Sequence, residues 1–170
     1  MSFLRALLVL PMMFGAGLAP VAAAAQSVRV LGDHNAWSAY ATTESAGQIC
    51  FVLSKPTATE PVPEGFTEGY FYITHRPNAG VRSEINLVAG YDFAPDSQAV
   101  MRVGGEEFPM FTQADAAWLA DPSQSDTAAR AIRAGSTMTI VGTSLRGIKV
   151  TQTFSLSGAT AASREIDSAC

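Results

Sequence analysis

The sequence predicts a mainly β fold: a single antiparallel β-sandwich with two or three short helices. Three observations carry this. Val81 to Phe93 alternates throughout, with Val81, Ile85, Leu87, Ala89, Tyr91 and Phe93 on one face and Arg82, Glu84, Asn86 and Asp92 on the other. Ser136 to Leu156 reads as a hairpin whose two arms both keep a period of two. Short apolar runs bounded by turn residues recur along the chain and give roughly seven or eight strands.

In order, Gln26 to Asn35 is short and mixed, an edge strand through Val28, Val30 and Leu31. Trp37-Ser38-Ala39-Tyr40 opens the first firm strand, and Thr42 to Gly47 turns it into Gln48 to Leu53, apolar on both faces and therefore central. Ser54 to Gly69 breaks the pattern. Pro56, Pro61 and Pro63 exclude a ladder strand there, and Glu60, Glu64 and Glu68 make it an exposed acidic loop. Tyr70 to His75 is an aromatic strand stopped at Arg76-Pro77, and Asn78-Ala79-Gly80 turns into the long alternation, bent at Gly90. Pro95-Asp96-Ser97 turns the chain into Ala99 to Val103, and Glu107 to Phe111 is an edge piece at best because of Pro109.

Thr112 to Gly135 changes period. Thr112, with Asp115 three residues on, caps a first helix that ends near Trp118-Leu119, before Asp121-Pro122. Ser123 or Ser125 caps a second, Asp126 favours its first turn, and Gly135 closes it. In the final hairpin Met138, Ile140 and Gly142 share a face, as do Ile148, Val150, Phe154 and Leu156, around a Ser144-Leu145-Arg146-Gly147 turn with Gly147 left-handed. After Gly158, the helical stripe Ala162, Ile166, Cys170 points the terminal cysteine inward.

The composition is that of a folded chain of one domain, with 48% hydrophobic and 15% charged residues over 170 positions. Residues 1–25 have the form of a secretory signal: Arg5, an apolar stretch, then Ala23-x-Ala25 before Gln26. Pro11, Gly15, Gly17 and Pro20 interrupt the apolar run and no basic stop-transfer cluster follows, which argues against a membrane span. No cysteine adjoins the cleavage site, so a lipid anchor is not expected. The domain is then 26–170. The net charge is −4 and the basic residues are scattered singly, so nucleic acid is not an expected partner.

In an exported chain the two cysteines, Cys50 and Cys170, are expected to pair. That bond closes nearly the whole mature chain, for which loop entropy gives at most about 4–5 kcal/mol.

The catalytic inventory is poor. His34 and His75 lie far apart, with no paired spacing for a metal, so neither metal nor cofactor is expected. Gly142 to Gly147 resembles a nucleophile elbow only superficially, since the glycine follows Ser144 by three and a strand comes next. Glu106 and Glu107 point to opposite faces of a strand and cannot share a substrate. Arg146 at a hairpin tip and the loop glutamates Glu60, Glu64 and Glu68 are the candidate contact residues, because binding groups favour loops on rigid scaffolds.

The C-terminal stretch GTSLRGIKVTQTFSLSGATAASREIDSAC resembles the signature of the invasion-associated locus B family: Gly-x-Ser-x-Arg-Gly, Ser-Leu-x-Gly and a closing Ala-Cys. Trp37, Cys50 before a proline-bearing loop, Thr74-His75-Arg76-Pro77, Gly90-Tyr91-Asp92-Phe93 and Trp118 fit as well, so the resemblance spans most of 37–170. Ile148 stands where threonine is common and Ala159 where an aromatic is common. The resemblance implies an immunoglobulin-like sandwich with Cys50 bonded to Cys170, from exported envelope proteins of alphaproteobacteria. It brings no catalytic residues. The expectation is a non-enzymatic interaction module that meets a protein of the envelope or of a host surface. Its address would be the periplasm, the medium or the outer membrane. The alternative is a small periplasmic hydrolase or ligand-binding protein using His75 and nearby carboxylates.

Overall fold

The structure, a computed structural model, describes residues 27–170, so the signal expected at 1–25 lies outside the described residues. The strands are β1 (Arg29–His34), β2 (Trp37–Glu44), β3 (Gly47–Ser54), β4 (Ala58–Glu60), β5 (Tyr70–Arg76), β6 (Val81–Val88), β7 (Gln98–Val103), β8 (Glu106–Gln113), β9 (Ala116–Leu119), β10 (Thr137–Thr143) and β11 (Lys149–Ser155). Two helices, α1 (Ser125–Ala134) and α2 (Ala159–Ala169), pack against them. All strand pairs are antiparallel and form one sheet in the order β1-β2-β3-β5-β6-β9-β8-β7-β10-β11-β4. The fold is mainly β and sandwich-like, as the sequence predicts.

One sheet makes a sandwich by curling until its inner face meets itself. Phe71 of β5 lies 5.7 Å from Phe154 of β11, and Trp37 of β2 meets Phe71 edge-on at 6.0 Å. The Trp37 indole N–H donates to the Ser155 carbonyl at 2.9 Å, so the apolar ring is buried while its polar edge is satisfied. Alternate residues of each strand supply the core between the halves, including Ile73, Ile85, Leu87, Met101, Met110, Met138 and Ile140.

The alternation predicted over Val81–Phe93 holds in burial, although pairing in β6 stops at Val88; Ala89, Tyr91 and Phe93 stay buried beyond it. The predicted hairpin is β10–β11, and its register sets Met138 opposite Phe154 and Gly142 opposite Val150. One member of its inward row is wrong. Ile148 precedes β11 and is 48% exposed, while Gln152 lies fully buried among the apolar positions.

Three expectations are overturned. The helix predicted from Thr112 to Leu119 is a β-hairpin, β8–β9, turning through Ala114 and Asp115. Thr112 caps nothing; its hydroxyl donates to the Ser97 carbonyl at 2.7 Å. Glu107–Phe111 is interior to the sheet, because β8 pairs with both β7 and β9. Pro109 is tolerated there since its carbonyl accepts from Ala120 N at 2.9 Å just beyond the last β9 pair, so the missing N–H falls on that same side where the ladder has ended. Finally, the loop 54–69 does contain a strand: Ala58–Glu60, free of proline, pairs with Thr151–Thr153 at the sheet's end.

The helix predicted to end at Gly135 is α1, but neither Ser123 nor Ser125 caps it; a 3-10 turn over Pro122–Gln124 precedes it, where Asp121 accepts from Ser123 N at 2.9 Å. Ala162 and Ile166 of α2 are buried as the stripe predicts, and Cys170 packs against the core.

Candidate functional site

The proline loop and the β10–β11 turn, predicted as separate surfaces, meet. The Arg146 guanidinium pairs with the Glu64 carboxylate, closing a notch lined by Pro63, Tyr91, Asp92 and Ser144. The turn is built locally: Gly147 N donates to Ser144 O at 2.7 Å, and Leu145 N to Asp92 O at 2.8 Å, which fixes the tip on the segment after β6. Leu145 (62% exposed) and Ile148 (48%) line the same notch as the ion pair. Sequence reading put Ile148 in the inward row and gave Leu145 no role beyond the turn, since single aliphatic residues in turns carry no periodic signal. Tyr91 closes the inner side, and burial pushes its hydroxyl up to about 12.

The other predicted contact residues go elsewhere. Glu60 ends β4 opposite Thr151. Glu68 accepts from the Lys55 ammonium at 2.8 Å and from the Tyr70 hydroxyl, and those hydrogen bonds hold its carboxyl below the usual range. Lys55 is raised by the same bond and lies over the Tyr70 ring, 5.4 Å from its centroid. Glu60, Glu64 and Glu68 therefore do not form one acidic patch.

Cys50 and Cys170 are bonded, with Cα atoms 6.0 Å apart. Beside them His75, opposite Cys50 in the ladder, is 4% exposed and uses both ring nitrogens. Nδ1 accepts from Ser83 N at 3.0 Å, and Nε2 meets Asp167 of α2 at 3.0 Å. An accepting nitrogen holds no proton, so the ring proton sits on Nε2 and is donated to Asp167. Ser83 takes a left-handed backbone (φ +55°) at the irregularity between Thr74 and Arg76, which aims its amide at the ring. Nδ1 is thus committed to the β6 backbone and Nε2 to holding α2 on the sheet, and no lone pair remains for a substrate. His34 reaches a different carboxylate, Glu165, at 3.6 Å. Among the described residues no group of three or more His, Cys, Asp or Glu side chains is placed to hold a metal.

A feature missed by sequence reading lies on the outer sheet face. The register Tyr72–Asn86–Trp118–Phe111 runs across β5, β6, β9 and β8. Phe111 and Trp118 stack with centroids 5.4 Å apart and planes at 18°, beside a groove of about 480 Å³. Read as a helix, 112–119 hid this pair; read as a hairpin about Ala114, it puts the two rings opposite each other.

No curated protein matches the chain. A crystal structure of invasion associated protein B from Bartonella henselae is similar at a TM-score of 0.57 and 12% identity, covering 81% of this chain and 96% of that one. At that identity the likeness is one of fold. The family described as Invasion associated locus B (IalB) protein matches residues 37–167, which takes in the sheet from β2 onward, the β10–β11 turn and α2 up to Asp167. That match spans most of the chain, and the chain belongs to the invasion associated locus B family.

Proposed function

We propose that the chain is an exported, non-enzymatic interaction module that holds a protein partner of the cell envelope or of a host surface at the Glu64–Arg146 end of the sandwich. The observation that carries it is that two exposed aliphatic side chains, Leu145 and Ile148, line the same notch as one exposed ion pair. Exposed apolar side chains beside an arginine have the composition of a protein contact, where buried anchors supply affinity and charge supplies orientation. Export is supported by the leader pattern of residues 1–25 and by the Cys50–Cys170 bond, which persists in oxidising compartments. No helix among the described residues is long and apolar enough to cross a membrane. The engagement of both His75 nitrogens weighs against the hydrolase alternative.

The test is crosslinking of tagged protein in its own cells, comparing wild type with Leu145→Asp and Arg146→Glu. Both positions are exposed, so the thermal midpoint should stay within a few degrees, in keeping with surface substitutions of roughly 0.5 kcal/mol. A partner captured by wild type and lost from both variants supports the reading. Capture unchanged in both removes this end as the contact surface.

A further inference from the structure

The outer sheet face suggests a second site, independent of the hairpin tip. Phe111 is 47% exposed although it sits in mid-strand, and its ring lies nearly parallel to that of Trp118 in an offset stack. Together they make an aromatic wall of the groove. Polar side chains flank it: Gln113, two residues along the same face of β8, Asn86 beside Trp118, and Glu84 in the groove. The charges here are already matched, Glu84 with Arg76 at 2.7 Å and Arg82 with Asp167 at 3.4 Å. An anion would have to break a pair to gain a cation. An acyl chain would want an enclosed apolar tunnel, whereas this groove has one flat aromatic wall and a polar rim.

A pyranose ring with equatorial hydroxyls has the complementary shape. Its C–H face is flat and apolar and stacks on an aromatic ring, and its hydroxyl edges seek planar amide and carboxylate groups that can accept and donate in pairs. The register adds a length. Tyr72 and Trp118 flank Asn86, one strand to either side, so their backbones lie roughly 10 Å apart, two inter-strand spacings. In a β-1,4-linked chain successive rings are flipped, so every second ring offers the same face, and the repeat is about this long. An α-1,4-linked chain curves away from a flat surface. The geometry points to a binding site for a neutral β-1,4-linked glycan on the outer face, with Phe111 and Trp118 as the main platform, Tyr72 as a second contact, and Asn86, Gln113 and Glu84 as hydroxyl partners.

The experiment is calorimetric titration of the purified protein with cellohexaose, chitohexaose and maltohexaose, with tryptophan emission followed in parallel. Trp37 is 1% exposed and shielded in the core, so a change in emission reports Trp118. Saturable binding of at least one β-linked hexasaccharide is expected, with altered emission, and none of maltohexaose. Phe111→Ala should weaken it about tenfold, the loss of one stacked ring, while the thermal midpoint falls by a few degrees at most, since only one cross-strand pair outside the core is lost. Three results overturn the proposal: no heat or emission change from either β-linked oligosaccharide, binding indifferent to Phe111→Ala, or equal binding of maltohexaose. A protein partner lost from the Phe111→Ala variant in crosslinking, with no oligosaccharide bound, would make this face a protein interface instead. Because Leu145 and Arg146 lie outside this groove, Leu145→Asp and Arg146→Glu should leave glycan binding unchanged, which separates failure here from failure at the hairpin tip.

Discussion

Tyr91 shows what one buried residue does to the whole chain's response to pH. Its hydroxyl sits where the post-β6 segment packs under the hairpin, its ring 5.0 Å from Phe93. Burial raises it from 10.0 to about 12. The folded state therefore keeps the proton over a range where the unfolded chain has released it. That contribution is whole below pH 10 and is lost as pH rises toward 12, at about 1.4 kcal/mol per unit. Tyr91→Phe removes the titration, so its urea midpoint should fall less than wild type's between pH 9.5 and 11.5; equal falls would exclude Tyr91 as the cause. Buried polar residues of this kind are only partly legible in sequence. Tyr91 reads correctly as inward because it keeps the alternation of Ile85, Leu87 and Ala89. Gln152 does not, because a glutamine in an apolar row reads as a gap; its amide in fact donates to the Ala89 carbonyl at 2.9 Å, across to another strand's end. Only the tertiary partner reveals why it is inside.

Among the elements, α2 depends most on contacts outside itself. No side chain caps its first turn, and an isolated helix of this length is marginal in water. What holds it is Ala162 and Ile166 in the core, Gln48 Nε2 donating to the Ala169 carbonyl at 2.9 Å, the His75–Asp167 contact, and the bond from Cys170 to Cys50 of β3. Cys170→Ser should lower unfolding free energy by up to about 4–5 kcal/mol, and exchange of the α2 amides should rise ahead of those in β10 and β11. An unchanged urea midpoint would mean that the noncovalent contacts suffice. The same reasoning explains which elements the sequence discloses. The amphipathic stripe of α2 is set by spacing and reads directly. β9 has four residues, two of them alanine, so no period is long enough to oppose the capping pattern that Thr112 and Asp115 imitate. β4 is three residues long and exists because β11 offers it an edge. The candidate sites follow suit: Arg146 reads as an exposed tip from its turn, but its pairing with Glu64 and the Phe111–Trp118 platform depend on strand partners chosen at long range.

At the scale of the molecule, a single sheet becomes a sandwich only if its curl is locked, and the lock is where β1–β2 meets the end of β11. There Ala36 N donates to Ser157 O at 3.2 Å, Asn35 Nδ2 to Ser157 Oγ at 3.1 Å and Trp37 Nε1 to Ser155 O at 2.9 Å. The backbone of Gly158 passes so close that a Cβ there would overlap the His34 carbonyl, and its φ of +97° suits glycine alone. Gly158→Ala attacks closure itself, since relief requires moving backbone against backbone. The expected cost is about 3 kcal/mol or more, strain and overpacking together, with loss of the near-ultraviolet signal of Trp37 as the corner opens. Gly147→Ala is the control. It shares a positive φ (+78°) but faces open space at the hairpin tip, so only the backbone preference, about 1–2 kcal/mol, is at stake. If the two substitutions cost the same, the corner at His34 and Gly158 is not what holds the halves together, and the aromatic contacts of Trp37, Phe71 and Phe154 close the sandwich unaided. If Gly158→Ala costs far more, the halves are held at the His34–Gly158 corner, and loss of partner capture in that variant would mean that the hairpin-tip surface depends on a sheet that has closed.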